Sequence, residues 1–129
     1  MFQPAYPNAG LAPTAAAITA TRPSGASDGV DMSALRGVSR YTIKLDADAA
    51  RTVTSPTGGS SGVELWGYDG VQWSLIGLLN NGADITIIAD TQSWAVTVDL
   101  GRSYDRLEVA GTKSAGTVTK QFTPIEVGA

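Results

Sequence analysis

The chain has 129 residues with 43% apolar and 16% charged side chains, a formal charge of −3, and neither histidine nor cysteine. Without histidine there is no Ser-His-Asp triad, no usual general base near neutral pH and no common transition-metal ligand; without cysteine there is no disulfide framework, thiolate zinc site or thiol nucleophile, and the redox compartment cannot be read. The nine Lys and Arg are scattered as singles, which argues against a nucleic-acid backbone as partner, and no apolar run approaches the length of a membrane helix.

One domain with one core fits this length. Residues 1–38 read as an extended Ala/Pro-rich arm and residues 39–129 as the folded domain. Pro4, Pro7, Pro13 and Pro23 bar continuous helix and inner-strand pairing along the arm, and AAAITATR, 15–22, is its only stretch suited to a strand or short helix. Phe2, Tyr6, Leu11 and Ile18, with few charges around them, suit contact with a neighbouring subunit better than a solvated tail. The prolines of MFQPAYPNAG stand where a secretion signal would have its basic start and apolar centre, so the expected place of synthesis is the cytoplasm of the producing cell.

From Arg40 the pattern changes to strands. RYTIKLD, 40–46, alternates strictly, with Tyr41, Ile43 and Leu45 inward. A short strand over 51–54 lies within a loop ending in SPTGGSSG. Val63 to Gly77, VELWGYDGVQWSLIG, predicts a tight hairpin in which Asp69-Gly70 forms a two-residue turn. In that register Tyr68 pairs with Val71, Trp66 faces Trp73 and Glu64 lies opposite Leu75. Val63, Leu65 and Ile76 fill the other face, so both faces are apolar and each needs a cover; one face is assigned to the core and the other to a neighbouring chain.

Leu78 and Leu79 run into a second turn, Asn80-Asn81-Gly82, and the strand 84–89 follows, as in an antiparallel meander. SWAVTVDL, 93–100, alternates with Trp94, Val96, Val98 and Leu100 on one face. A strand over 104–109, a turn over 111–116 and a strand over 117–122 complete the domain, with Pro124 confining 125–127 to an edge or tail. Seven to nine short strands with glycine-rich turns predict an all-β, antiparallel, jelly-roll-like sandwich carrying an N-terminal arm.

Chemistry has few candidates. Glu64 and Asp69, beside Trp66, Tyr68 and Trp73, are the best pair for a two-carboxylate glycoside hydrolase, yet Asp69 is explained by its turn and Glu64 by a solvent-facing strand end. Asp46, Asp48, Asp28 and Asp31 offer oxygens to a cation but lack the order of a calcium loop, and capping of their own backbone turns explains them. PTGGSSG lacks the Lys-Ser/Thr of a phosphate-binding loop. No catalytic, cofactor or metal residues are assigned. For Trp66, Tyr68 and Trp73 three roles stay open: core, protein interface, or a platform on which a glycan stacks.

The arm, the pattern LWGYDGVQWSLIG and the closing YDRLEVAGTKSAGTVT make the chain similar in layout to small head decoration (cement) proteins of tailed bacteriophages, most of all over residues 63–119. The resemblance implies a virion protein on the outside of the capsid, made in the host cytoplasm, often a homotrimer, that clamps coat subunits and has no catalytic residues. Its implied partners are the major capsid protein and copies of itself. A glycan- or receptor-binding module of a phage fibre is the alternative.

Overall fold

The computed structural model describes residues 16–59, 61–88 and 93–125. The strands are β1 (Ala16–Ala17), β2 (Val30–Asp31), β3 (Arg40–Ala47), β4 (Arg51–Thr54), β5 (Glu64–Tyr68), β6 (Trp73–Leu78), β7 (Ile85–Ile87), β8 (Ser93–Asp99), β9 (Arg106–Ala110), β10 (Thr112–Lys113) and β11 (Val118–Pro124), with a 3₁₀ turn at Ser33–Leu35 and a second short turn, left-handed at Asn80 and Asn81, at Leu79–Gly82. They form three antiparallel sheets ordered β1-β11-β3-β8, β2-β9-β5-β6 and β10-β4-β7. The fold is all-β, as the alternating runs predict.

Period-two alternation places the core. Tyr41, Ile43 and Leu45 of β3 and Val118 and Phe122 of β11 point inward from the first sheet, and Leu65, Leu107 and Val109 from the second; all are buried. The small third sheet adds Val53, Ile85 and Ile87.

The arm boundary at residue 38 does not hold. β1 pairs with β11 and β2 with β9, while Ile18, Val30, Met32, Leu35 and Val38 are buried in the chain's own core. Ile18, expected against a neighbour, is thus a core residue. The apolar spacing of 30–38 is met by the 3₁₀ turn, which swings Met32, Leu35 and Val38 to one side; Leu35 N–H donates to the Met32 carbonyl at 2.9 Å and Val38 N–H to that of Leu35 at 3.1 Å. Phe2, Tyr6 and Leu11 lie outside the described residues.

The hairpin forms with a different register. Tyr68 pairs with Trp73, Trp66 with Leu75 and Glu64 with Leu78, leaving Asp69–Gln72 as a four-residue loop. The Asp69 carboxylate decides this: it accepts the backbone N–H groups of Val71 and Gln72, both at 2.8 Å, while Gly70 takes φ 100°. Asp69 N–H also donates to the Gln72 carbonyl at 3.2 Å, so a loop closed by side chain and backbone, with Gly70 and Val71 at its tip, replaces the turn expected at Asp69-Gly70. A bulge between Leu65 and Trp66 leaves Ile76 as the extra residue of β6, and Ile76 packs against the core.

Asn80 and Asn81, at φ 52° and 54°, form the expected turn, but no meander follows. The turn carries the chain from β6 into the third sheet, where β7 pairs with β4. The expected turn over 111–116 contains β10, paired with β4. Pro124 ends β11 opposite Tyr41, where its missing N–H breaks no ladder beyond it.

Candidate functional site: the outer face of the β2-β9-β5-β6 sheet

Leu65 and Val109 face the core, so their sequence neighbours face out. Register places Arg106 beside Tyr68, which in turn pairs with Trp73; Glu108 lies beside Trp66 and Leu75, and Ala110 beside Glu64 and Leu78. Trp66, Tyr68 and Trp73 do share a face. The close ring pair is Tyr68 with Trp73, centroids 5.3 Å apart and tilted by 41°, because the longer loop brings these two opposite each other.

Much of the cover comes from the same chain. Residues 18–29 cross this face as a strap held mainly by polar contacts. Arg22 donates to both carboxylate oxygens of Glu64 at 2.8 and 2.9 Å, and Trp66 Nε1 donates to the same carboxylate at 2.9 Å. Trp73 Nε1 donates to the Gly25 carbonyl at 2.9 Å. Arg106 donates to the carbonyls of Asp28, Ser27 and Gly29 at 2.6, 3.2 and 3.2 Å. Asp28 fixes the strap's own bend by accepting the N–H groups of Ser24 and Gly25. The three aromatic residues are consequently half-buried, whereas Val71 and Leu75 remain 84% and 49% exposed. The second face of the hairpin is therefore covered in part within the monomer, a correction to its assignment wholly to a neighbouring chain. The sequence separation of these partners hid the strap.

Glu64 is no solvent-facing strand end; it is 4% exposed. The Arg22 guanidinium, and then the Trp66 N–H, hold its pKa below the ordinary carboxylate value, against the opposing pull of burial. Asp69 is likewise lowered, by the backbone N–H groups of Gln72 and Val71. A general acid at neutral pH needs a raised pKa, and neither carboxyl has one.

The other carboxylates are engaged locally. Asp48 pairs with Arg51 at 2.9 Å and accepts the Thr117 N–H at 3.1 Å, which lowers its pKa to about 2. Asp46 meets Lys44 at 3.4 Å, and Asp31 accepts the Ser33 N–H at 2.9 Å. Among the described residues, no three His, Cys, Asp or Glu side chains gather as a metal site would require, and no helix is long and apolar enough to cross a membrane.

A buried ion pair was missed by the sequence reading. Lys120 of β11 and Glu108 of β9, 3% and 5% exposed, meet at 2.7 Å between two different sheets. Lys120 also donates to the Ala17 carbonyl at 2.7 Å, and Glu108 accepts the N–H of Val109 at 3.0 Å. The alternation Val118, Lys120, Phe122 puts the lysine inward; nothing local announces its partner.

Beyond the strap, a groove of about 380 Å³ lies between the end of β6 and β8, lined by Leu78 and Leu79, by Asn80 and Asn81, and by Trp94, Ala95, Val96 and Val98. Comparison with protein-family models, with curated proteins and with solved structures finds no match for this chain.

Proposed function

We propose that this is a structural, non-enzymatic assembly protein of a virus particle: a decoration protein that binds the outside of a phage head and stabilises contacts between coat subunits. The observation that carries the reading is the side of the sandwich formed by β6 and β8. Among the described residues each strand ends its sheet, and Leu75 and Leu78 stand exposed, Leu78 also lining the groove. Exposed apolar area beside unpaired strand edges is chemistry for contact with protein. The carboxylates best placed for catalysis are, by contrast, held ionised by neighbours. Many copies on one particle let modest contacts act together.

Particles from the source of this chain should carry it in fixed ratio to the coat subunit, and the purified chain should co-sediment with heads. Removing residues 1–14, which include Phe2, Tyr6 and Leu11 and stop short of β1, should leave a folded domain that no longer attaches. Absence from heads overturns the reading, and attachment unchanged by the truncation removes those three residues from it.

The Tyr68–Trp73 ring pair, half-exposed beside the strap, favours the second reading, a glycan- or receptor-binding module of a fibre. Its test is tryptophan emission on titration across a panel of sugars; a flat response throughout rules it out.

A further inference from the structure

We infer that β8 pairs with β8 of a second copy of this chain, antiparallel across a two-fold axis at Val96, joining the two β1-β11-β3-β8 sheets into one. The first ground is the state of the edge. β8 spans seven residues, Ser93–Asp99, and among the described residues no strand pairs with its outer side. Soluble proteins blunt such an edge with lysine, proline, a bulge or a covering loop. β8 has no lysine, proline or glycine, its pairing with β3 runs unbroken over all seven positions, and its only charge is Asp99 at the end.

The second ground is that the strand complements itself. Centred on Val96, antiparallel pairing sets Trp94 against the copy's Val98 on the inner face, a favourable aromatic with β-branched pair, and Val96 against itself. All three are only partly buried in the single chain and line the groove beside Leu78 and Leu79. On the outer face Ala95 meets Thr97 and Ser93 meets Asp99, so no like charges oppose each other across the seam. Arg40 of β3, the register partner of Asp99, keeps a cation beside that carboxylate.

The third ground is the other edge of the same sheet. There β1 covers two of the described residues, Ala16–Ala17, and the chain turns away after it, Thr19 bridging to Ala110 of β9. Head-to-tail addition that extends this sheet would use both of its edges and propagate, whereas β8 paired with β8 of a second copy is isologous and closes at two. This inference does not depend on the particle proposed above, and its test uses none, so failure of one reading is distinguishable from failure of the other.

The test is the mass of the full chain by light scattering and sedimentation equilibrium, expected at twice the 13.3 kDa of one chain. Ala95 and Thr97 are exposed and face outward, so Ala95→Lys with Thr97→Lys places like charges across the seam without touching the core. That variant should associate at least about tenfold more weakly, an effect relieved by salt. A second variant, Ala95→Glu with Thr97→Glu, should be weakened alike, and mixing the two should restore the two-chain mass as a heterodimer. Full-length chain with the mass of one or of three copies, a lysine variant that stays dimeric, or a mixture that stays monomeric each overturns the inference.

Discussion

Replacing Lys120 by methionine tests how the two main sheets are tied together. Methionine keeps the length and apolar stem of lysine but removes the ammonium, which leaves the Glu108 carboxylate, 5% exposed, with the Val109 N–H as its remaining donor and takes a donor from the Ala17 carbonyl. Breaking one side of a buried ion pair costs about 3–5 kcal/mol, because the surviving charge is left in a poorly solvated site. A pair in water contributes roughly 0–1 kcal/mol, so the two cases are well separated. For a domain of this size 1 kcal/mol moves the midpoint by roughly 4 °C, so Lys120→Met should lower Tm by about 12–20 °C in a calorimetric scan.

Adding Glu108→Gln to Lys120→Met should recover at least half of that loss. The amide oxygen can still accept from Val109, and no charge is left buried. A single-variant loss below about 4 °C would falsify the claim that this pair is desolvated. A double variant as unstable as the single would show instead that the ammonium's packing, and not the orphaned carboxylate, carries the effect.

Three further outcomes are expected. Glu64 has a folded pKa below its unfolded value, so its contribution is present above the unfolded pKa and is lost as pH falls through the folded one. Tryptophan emission, which senses Trp66 and Trp73 under the strap, should accordingly hold steady through pH 4.5 and shift to the red only below it; a midpoint at or above 4.5 contradicts the Arg22 pairing. Gly29→Ala should loosen the strap and reduce stability by at least about 1–3 kcal/mol, since Gly29 has φ 72° and an added Cβ would lie 2.6 Å from the Leu107 carbonyl and 2.9 Å from the Trp73 ring. Urea denaturation measures it, and an unchanged midpoint would mean that the strap does not lie down on this face. Phe122→Ala, at a fully buried position of β11, should cost about 3–5 kcal/mol by the same measurement, and a loss under 1 kcal/mol counts against its place in the core.

What the sequence revealed follows the length over which each signal acts. β3 and β8 are long enough for period two to declare itself, and Tyr41, Ile43 and Leu45 are buried as that period requires. Strands of two residues carry no period, so β2 and β10 could not be read, and β1 was legible only as a strand or short helix somewhere within 15–22, in a segment assigned to an arm. In the hairpin the face shared by Trp66 and Tyr68 was legible, but Asp69 offered two closures. Its backbone tendency favoured a short turn, and its carboxylate, bonded to two N–H groups, fixed the longer loop and with it the cross-strand partners. The strap lay beyond reach because Arg22, Trp73 and Arg106 are joined to their partners only by the completed fold.

The position of β11 also governs the order in which the fold is completed. It lies between β1 and β3, pairing Lys120 with Ala16 on one side and with Leu45 on the other, yet it is synthesised after every other described strand. Until it emerges β1 has no partner, β3 is paired on one side only, and the Glu108 carboxylate waits for its ammonium. The first sheet cannot be assembled progressively from its N-terminal end. Its closure joins residues nearly the whole chain apart, which sets a high entropic barrier and a slow folding step. A ribosome-stalled chain ending at Gly116 should be open to protease throughout β1 and β3, and release of the remaining residues should protect both strands together.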